Sequence, residues 1–440
     1  MTTTDTTALA YQLKRVYGNT ITDLFARQKM TYNLFLKSNR QATVAPAGVG
    51  YYYALRQSDN QAVGGRGEGQ YLPEPLYGAG VQGVITPRLL YAALRLSGLA
   101  IEVGKTNVAA FVNTQGDAIS STYKALINDL NRQCHGDGYG LIGTLSAAAT
   151  LSTTNTWTGT FDNDMGTRYM KKGMIVDFYN GTAIDQSAIT SRILSINPTT
   201  RVVTFEANGA AYQAYHPLAA ARAYTIADGA IANGSTMVRY GARAAAHATT
   251  NPQYEIMGLL GMYDDATLLA SFQGVTIATY PEFVANILAN GGTNRELSID
   301  LMLSAMDLTA ARSDRQVSLM RLGLGQRRKY FALLEPSIRY QPGVLVGGYE
   351  KLTFTQNGAV SMIIDPQTQP NRVFFEPEGV VRKYELTPIG WGGFDSNKMH
   401  WRQDYDEATM FLRTYTNLGV EERNALTLLK DLTEPTNNPF

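Results

Sequence analysis

The chain has 440 residues, 44% hydrophobic and 17% charged, and its 38 basic and 37 acidic side chains leave a net charge of +1. That length supports about two or three compact domains, and the balanced charge excludes a dedicated nucleic-acid-binding protein, which would carry a basic excess or patch. The one cysteine, Cys134, excludes an internal disulfide and a multi-cysteine metal site, and no run of ~18 apolar residues is present to cross a membrane as a helix.

A charged fraction below the usual ~25% suits a surface that partners cover. The charge is also graded along the chain. Residues 1–47 carry six basic side chains (Lys14, Arg15, Arg27, Lys29, Lys37, Arg40) and two acidic ones (Asp5, Asp23), a net of +4. Residues 376–440 carry seven basic and eleven acidic, a net of −4. Complementary ends suit head-to-tail contacts between copies. The opening MTTTDTTALAYQLKR has no charged start followed by an apolar stretch, so it does not read as a secretory signal.

Residues 1–47 read as a polar arm with one helical segment, about Thr20 to Leu36, where Leu24, Phe25, Gln28, Tyr32 and Phe35 recur at a spacing of three to four. Residues 48–88 change character: nine of these 41 positions are glycine and none is lysine. Alternation from Gly48 to Gln57 predicts a strand, SDNQAVGGRGEGQYLPEPLYGAG a long tip, and Gly80 to Thr86 the return strand. A two-stranded ribbon this long is marginal alone, so it is expected to lie on another surface, that of a neighbouring copy. Pro87 to Ala100 reads as a helix with Leu89, Leu90, Ala93, Leu94 and Leu96 apolar. Thr114 to His135 reads as a longer one. Ile119, Tyr123, Leu126, Ile127, Leu130 and Cys134 share its apolar face, Asn128, Asp129, Asn131 and Arg132 oppose it, and Gly136 stops it.

Met174 to Phe178, Ile189 to Ile196, Arg201 to Phe205, Tyr224 to Ala227 and Thr236 to Tyr240 predict short strands, punctuated by Asn180-Gly181, Asn197-Pro198-Thr199 and Asn208-Gly209. They suggest a small β-barrel or sandwich over 157–240, flanked by the linker-like stretches LSAAATLSTTNTWTG and YGARAAAHATTNPQYE. From Gly274 helix and strand alternate. Thr293-Asn294-Arg295-Glu296 has the form of a capping box, opening a helix through Leu297, Leu301, Met302, Ala305 and Leu308. Val317 to Leu322 predicts a buried strand, Gln326 to Leu334 a helix ended by Pro336, and Thr353 to Ile364 a hairpin turning at Asn357-Gly358. Val373 to Phe375, Val380 to Leu386, Met399 to Gln403 and Thr409 to Thr416 predict further strands. The class is α+β with a β insertion.

Signals for chemistry are sparse. His135, His216, His247 and His400 are far apart and form no metal-binding spacing. GGRGEGQ at 64–70 lacks the Lys-Ser/Thr of a phosphate loop and reads as a flexible tip. Asp162/Asp164 and Asp264/Asp265 fit no calcium-loop pattern and read as solvated turns. Cys134 sits in the apolar stripe of its helix, so it reads as packing although His135 follows it. Arg327-Arg328-Lys329 is a basic cluster on a helix, a solvated face or a contact for an acidic partner. No catalytic, cofactor or metal site is expected.

The order of segments carries a resemblance. NRQCHGDGYG at 131–140, RLLYAALRLSGLAIEVGKTNVAAFVN at 88–113, ATYPEFVANILANGGTNRELSIDLM at 278–302, and the late stretches YELTPIGW and DYDEATMFLRTYTNLGVEERNALTLLKDL resemble, in this order, the Hong Kong 97-type major capsid proteins of tailed bacteriophages. The match covers about residues 48–155 and 250–432. It implies an N-terminal arm at 1–47, an extended loop at 48–88 lying over an adjacent subunit, and a peripheral domain at 89–156 with a spine helix at 114–135. It further implies an inserted β domain at 157–240, a return to the core at 241–275, an axial domain at 276–372, and closing strands and C-terminus at 373–440. Contact residues expected on the loop are Tyr51, Tyr52, Tyr53, Arg56, Arg66, Glu68, Tyr71 and Tyr77.

The implied function is a non-enzymatic one: self-assembly into pentamers and hexamers of an icosahedral head that encloses double-stranded DNA, formed in the host cytoplasm and resident in the virion. The implied partners are further copies, a portal protein, a separate scaffolding protein or none, decoration proteins, and DNA contacted without sequence specificity, with no membrane and no cofactor. Some members crosslink through a loop lysine. Here no lysine lies between Lys37 and Lys105, so a non-covalent shell is expected. The alternative is an encapsulin-like bacterial nanocompartment shell, against which the inserted domain and the coat-like stretches argue. An α+β enzyme would need convergent titratable residues, and a β-rich tail protein would lack the long helices.

Overall fold

Strand pairing organises this chain more than helix packing does. The computed structural model describes residues 31–45, 48–60, 62–71, 78–99, 114–153, 156–162, 165–179, 191–206, 231–242, 254–265, 267–334, 351–354, 358–392, 400–401 and 405–435. A 3-10 turn, Thr31–Leu34, leads into β1 (Leu36–Lys37) and β2 (Thr43–Ala45). Most of the helix expected at Thr20 to Leu36 lies outside the described residues. Its described end is this turn, with Tyr32 and Phe35 buried and Leu34 and Leu36 exposed.

β3 (Gly48–Arg56) and β4 (Gly80–Ile85) form the expected ribbon, Tyr51 opposite Ile85 and Arg56 opposite Gly80. Pro87 to Ala100 is not the expected helix but strand β5, Arg88–Ser97. Its leucines serve two periods at once, and a long partner strand decides between them. Ten consecutive residues of β5 pair antiparallel with residues 407–416, so Leu90, Leu94 and Leu96 are buried while Leu89 and Tyr91 are exposed. Helix α1 (Thr114–Gln133) follows as expected, ~30 Å long. Ala118 and Ile119 pack on Leu94, Leu96, Ala408 and Met410, so α1 lies across β5. Its polar face is only partly solvated: Asn131 and Arg132 are buried, and Tyr123 on the apolar stripe is exposed.

The next sheet begins at Leu141, well before the expected boundary at 157. It comprises β6 (Leu141–Thr144), β7 (Thr150–Thr153), β8 (Thr156–Thr160), β9 (Ile175–Tyr179), β10 (Ser191–Asn197), β11 (Val202–Glu206) and β12 (Thr236–Arg239), in the order β6-β12-β9-β10-β11-β8-β7. The stretch read as a linker therefore supplies β7 and β8, and Tyr224 to Ala227 lies outside the described residues. The sheet closes on itself. Leu145 N donates to Ser235 O (2.9 Å) on one side, while Ser146 N donates to Thr160 O and Asp162 N to Thr144 O (both 2.9 Å) on the other. Its interior is a separate core in which Trp157 stacks on Phe205 (4.2 Å) and meets Phe178 edge-on (5.0 Å). The chain enters and leaves this barrel at one point. Arg239 N donates to Gly140 O (2.9 Å), and a Cβ on Gly140, whose φ is +77°, would sit 2.3 Å from the Ala242 Cβ.

A single turn, α2 (Leu259–Met262), and short strands β13 (Ser271–Phe272), β14 (Val275–Thr276) and β15 (Asn286–Leu288) lead to α3 (Ile299–Ser313), β16 (Leu319–Leu322) and α4 (Leu324–Leu334). The cap of α3 is Ser298, whose side chain accepts from Leu301 N (3.2 Å), and not Thr293. The backbone of Arg295 is held in a bridge to Leu432, and Glu296 pairs with Lys329 instead of reaching back to a cap. The last elements are β17 (Lys351–Phe354), β18 (Gly358–Ile364), β19 (Val373–Glu376), β20 (Val381–Gly392), β21 (His400–Trp401), β22 (Glu407–Val420) and β23 (Thr427–Leu429). A six-stranded sheet, β15-β23-β19-β16-β18-β17, sandwiches its strands between two cores, with Phe375 facing α3 and Phe374 the core beneath the ribbon. β1, β20, β22, β21 and β5 form the long sheet.

One loop, 365–369, fastens these parts together. Asp365 accepts from Thr31 Oγ1 and lies 3.2 Å from His135 Nε2. Asn131 bonds Thr31 N and Gln367, and Gln369 Nε2 donates to His135 O (2.7 Å). Arg168 and Tyr169 of the barrel donate to the carbonyls of Thr368 and Gln367. Burial alone would raise the Asp365 carboxyl, but His135, Thr31 and the Gln367 N–H hold it down at about 2, from an ordinary 3.8. The folded group titrates below the unfolded one, so its stabilisation is complete above pH ~4 and is lost as pH falls towards 2, about 2 kcal/mol in all. Thermal midpoints of Asp365→Asn and of the parent chain should therefore converge between pH 5 and 2. A gap unchanged across that range would contradict the assignment.

Candidate assembly surface

The ribbon has a buried root and a free end. At the root, Tyr51 and Tyr53 are each 3% exposed. Tyr51 packs on Tyr384 (ring centroids 5.1 Å apart), and the Tyr53 hydroxyl is hydrogen-bonded to the Gln273 amide. Tyr384 donates to Glu421 (2.8 Å), which Arg40 also grips with two N–H groups. Burial pushes the phenols of Tyr53 and Tyr384 well above their ordinary value, so both stay neutral. Tyr51 and Tyr53 therefore correct the expectation that they face a neighbour: alternation turns them into the chain's own core, and their role is to root the ribbon.

Outward from the root, Gln57 N and Ser58 N both donate to Ala79 O (2.8 and 3.3 Å), and Ala79 N donates to Ser58 Oγ (2.9 Å). The arms approach so closely that a Cβ on Gly78 would lie 2.3 Å from Ser58 O. Past this clasp, the hydrogen bonds of the described residues between 60 and 71 stay within the segment, such as Gly67 N to Gln70 Oε1 (3.0 Å). Tyr71 is 96% and Val63 85% exposed. Arg56, Arg66 and Glu68 are exposed, Tyr52 is half-buried, and Tyr77 lies outside the described residues.

A second surface went unnoticed in the sequence. On the side of the long sheet away from α1, β5 contributes Leu89, Tyr91 and Ala93, and β22 contributes Phe411, Arg413 and Tyr415 directly opposite, paired Leu89–Tyr415, Tyr91–Arg413 and Ala93–Phe411. Leu89, Tyr91 and Phe411 are 57%, 55% and 43% exposed. The Tyr91 hydroxyl donates to that of Tyr415 (3.3 Å), and Arg413 lies over the Tyr415 ring. Contiguous exposed aromatics on a flat face mark an interaction surface. The odd-numbered alternation was the available signal, and reading 87–100 as a helix hid it.

Little here suits catalysis. Cys134 is fully buried, and burial pushes its thiol far up, so no thiolate forms. A cleft of about 330 Å³ opens at the ribbon root beside Tyr280, Glu282 and Phe283, and two of its three carboxylates, Glu421 and Glu422, are gripped by Arg40 and Arg315. Among the described residues, no three His, Cys, Asp or Glu side chains gather as metal ligands, and no helix is long and apolar enough to cross a membrane.

No protein-family model and no curated sequence matches the chain. Solved structures do. A chain of the cyanophage A-1(L) capsid asymmetric unit is 11% identical with a TM-score of 0.52, the match covering 98% of this chain and 99% of that one. The capsid of a native GTA particle gives 8% identity, a TM-score of 0.49 and coverage of 98% and 100%. A chain of the holo-SrpI encapsulin complex from Synechococcus elongatus PCC 7942 gives 8%, 0.40, and 100% and 98%. The likeness to the cyanophage capsid chain thus runs along nearly the whole of both chains, and the α+β fold of this protein is that of a phage capsid chain.

Proposed function

We propose that the chain is the major capsid protein of a phage, a structural subunit and not an enzyme, which assembles through pentamers and hexamers into the shell that encloses double-stranded DNA. The observation that carries the reading is the ribbon end, whose described residues between 60 and 71 bond only among themselves and leave Tyr71 almost fully exposed. A ribbon end with no partner surface beneath it gains stability when another copy supplies one. The aromatic face of β5 and β22 offers such a seat, and Arg66, Glu68, Tyr71 and Tyr77 are the ribbon residues that would meet a neighbour. Each subunit then touches several others, so modest pair affinities add up to a durable shell, and ring closure follows from heterologous contacts.

On this reading the barrel over residues 141–239 is an insertion into the capsid chain. A portal protein, and scaffolding or decoration proteins where present, are its partners in the virion, after assembly in the host cytoplasm. Contact with packaged DNA is non-specific and weakens with salt. The protein, purified and concentrated, should form rings and closed particles in negative stain. A chain that stays monomeric at tens of micromolar, or particles that hold protein cargo and no DNA after infection, would overturn the reading. Because the ribbon lacks lysine, particles boiled in detergent should release chains of 48.1 kDa. A ladder of covalent oligomers would contradict a non-covalent shell.

A further inference from the structure

An open sheet ends in edge strands, and an edge strand turns every second backbone N–H and C=O away from the ladder. Among the described residues most edges of this chain are short: two residues in β1 and in β21, three in β15, four in β17. β5 is different. It runs for ten residues, Arg88–Ser97, and pairs on one side only, with β22. Apart from the bonds to β22, Leu89 to Leu96 make no backbone hydrogen bond among the described residues.

The devices that usually blunt such an edge are missing. The register of β5 on β22 has no bulge, whereas that of β20 on the same strand is interrupted twice. No proline and no lysine lies between Leu89 and Leu96, and the one charge there, Arg95, is held by Glu407 (3.6 Å). Leu89, Tyr91 and Ala93 are exposed along the strand, while Leu90, Leu94 and Leu96 are buried on its other face. A long, straight, apolar edge of this kind is a template for a further strand.

We propose that the free edge of β5 pairs with the same edge of a second copy, so that the long sheet runs from one subunit into the next across a two-fold axis. This rests on the shell reading above and adds the contact that joins one ring to another, because contacts around a ring are heterologous and an isologous contact closes on a pair. A two-fold axis that keeps a sheet continuous stands perpendicular to it. The strands then meet antiparallel, each face continues as the same face, and odd-numbered residues meet odd-numbered ones. Ala93 lies near the middle of the strand and is small enough for two copies to meet at the axis. In that register Tyr91 lies opposite the second copy's Arg95, ring against guanidinium, and Leu89 opposite its Ser97. On the α1 side Leu90 lies opposite its Leu96, and Ala92 opposite its Leu94. No like charges are opposed.

A residue on a two-fold axis faces itself, and the test uses this. Ala93→Lys and Ala93→Glu, each alone, should keep the parent's thermal midpoint and still form rings, but lower the yield of closed particles about tenfold or more, since like charges then meet at the axis. An equimolar mixture of the two variants should recover most of that yield. Should either variant unfold, Tyr91→Lys and Tyr91→Glu take their place: the lysine, facing the second copy's Arg95, should lower particle yield far more than the glutamate. Single variants that close particles like the parent, folded variants whose mixture recovers nothing, or the loss of rings as well as particles would overturn the two-fold contact, while parent particles leave the shell reading standing. A parent chain that forms no particles would remove both.

Discussion

Removal of Ser58 to Leu76 is expected to yield a folded subunit that forms no closed particles. The cut removes Ser58 and its two bonds to Ala79 but keeps the Gln57 N–H to Ala79 O bond, where the two arms already touch, so the shortened turn bridges strands in their native register. The root is untouched: Tyr51 stays packed on Tyr384, Tyr53 on Gln273, and β3 and β4 keep their pairing. Circular dichroism and the thermal midpoint should therefore match those of the full chain. What disappears is the segment bearing Val63, Arg66, Glu68 and Tyr71, whose described residues from 60 onward bond only among themselves. Sedimentation and negative stain should show monomers or small rings. Particle yield equal to that of the full chain would refute a role for this segment between subunits.

The second large effect is expected in the core. Arg321 on β16 and Glu376 on β19 meet diagonally, Arg321 lying opposite Phe374 and Glu376 opposite Leu319; their side chains are 3% and 2% exposed, with Nη2 to Oε1 at 2.6 Å and Nε to Oε1 at 2.8 Å. Tyr263 donates to the other carboxylate oxygen (3.2 Å), and the guanidinium lies over the Phe35 ring at 4.4 Å. Arg321→Met strands a carboxylate with a single phenolic donor, and removing one partner of a buried pair costs about 3–5 kcal/mol. Arg321→Met/Glu376→Leu removes both charges, and such replacements are often neutral or stabilising. Urea midpoints of the single and double variants measure the difference. A single variant as stable as the parent, or a double no better than the single, would mean the pair is not what holds this sheet to the core beneath it.

How much of this was legible in the sequence depends on the range of the deciding interaction. The ribbon strands, α1, the closing strands and the hairpin β17–β18 are set by local alternation, spacing and turn residues, and their expected positions agree with the structure within a few residues. β5 was misread because Leu89 to Leu96 satisfies a helix locally, and only a partner more than 300 residues away settles it as strand. The capping box failed for a similar reason: the backbone of Arg295 is claimed by Leu432 at the far end of the chain. Among the contact residues, period-two alternation alone separates Tyr51 and Tyr53 from Tyr52, but which parity faces inward is decided by Tyr384 and Gln273, remote in sequence. The loop 365–369, which joins Thr31, the end of α1 and the barrel, carries no motif, since its polar side chains gain meaning only from what surrounds them.

The meeting of Gly140 and Ala242 makes the barrel a detour with no length of its own. Seen from the rest of the subunit, about a hundred residues begin and finish at the same place. A change of length within that excursion need not respace the strands outside it. Arg168 and Tyr169 moor the excursion to the loop at Thr368 and Gln367, and Leu260 packs against its core.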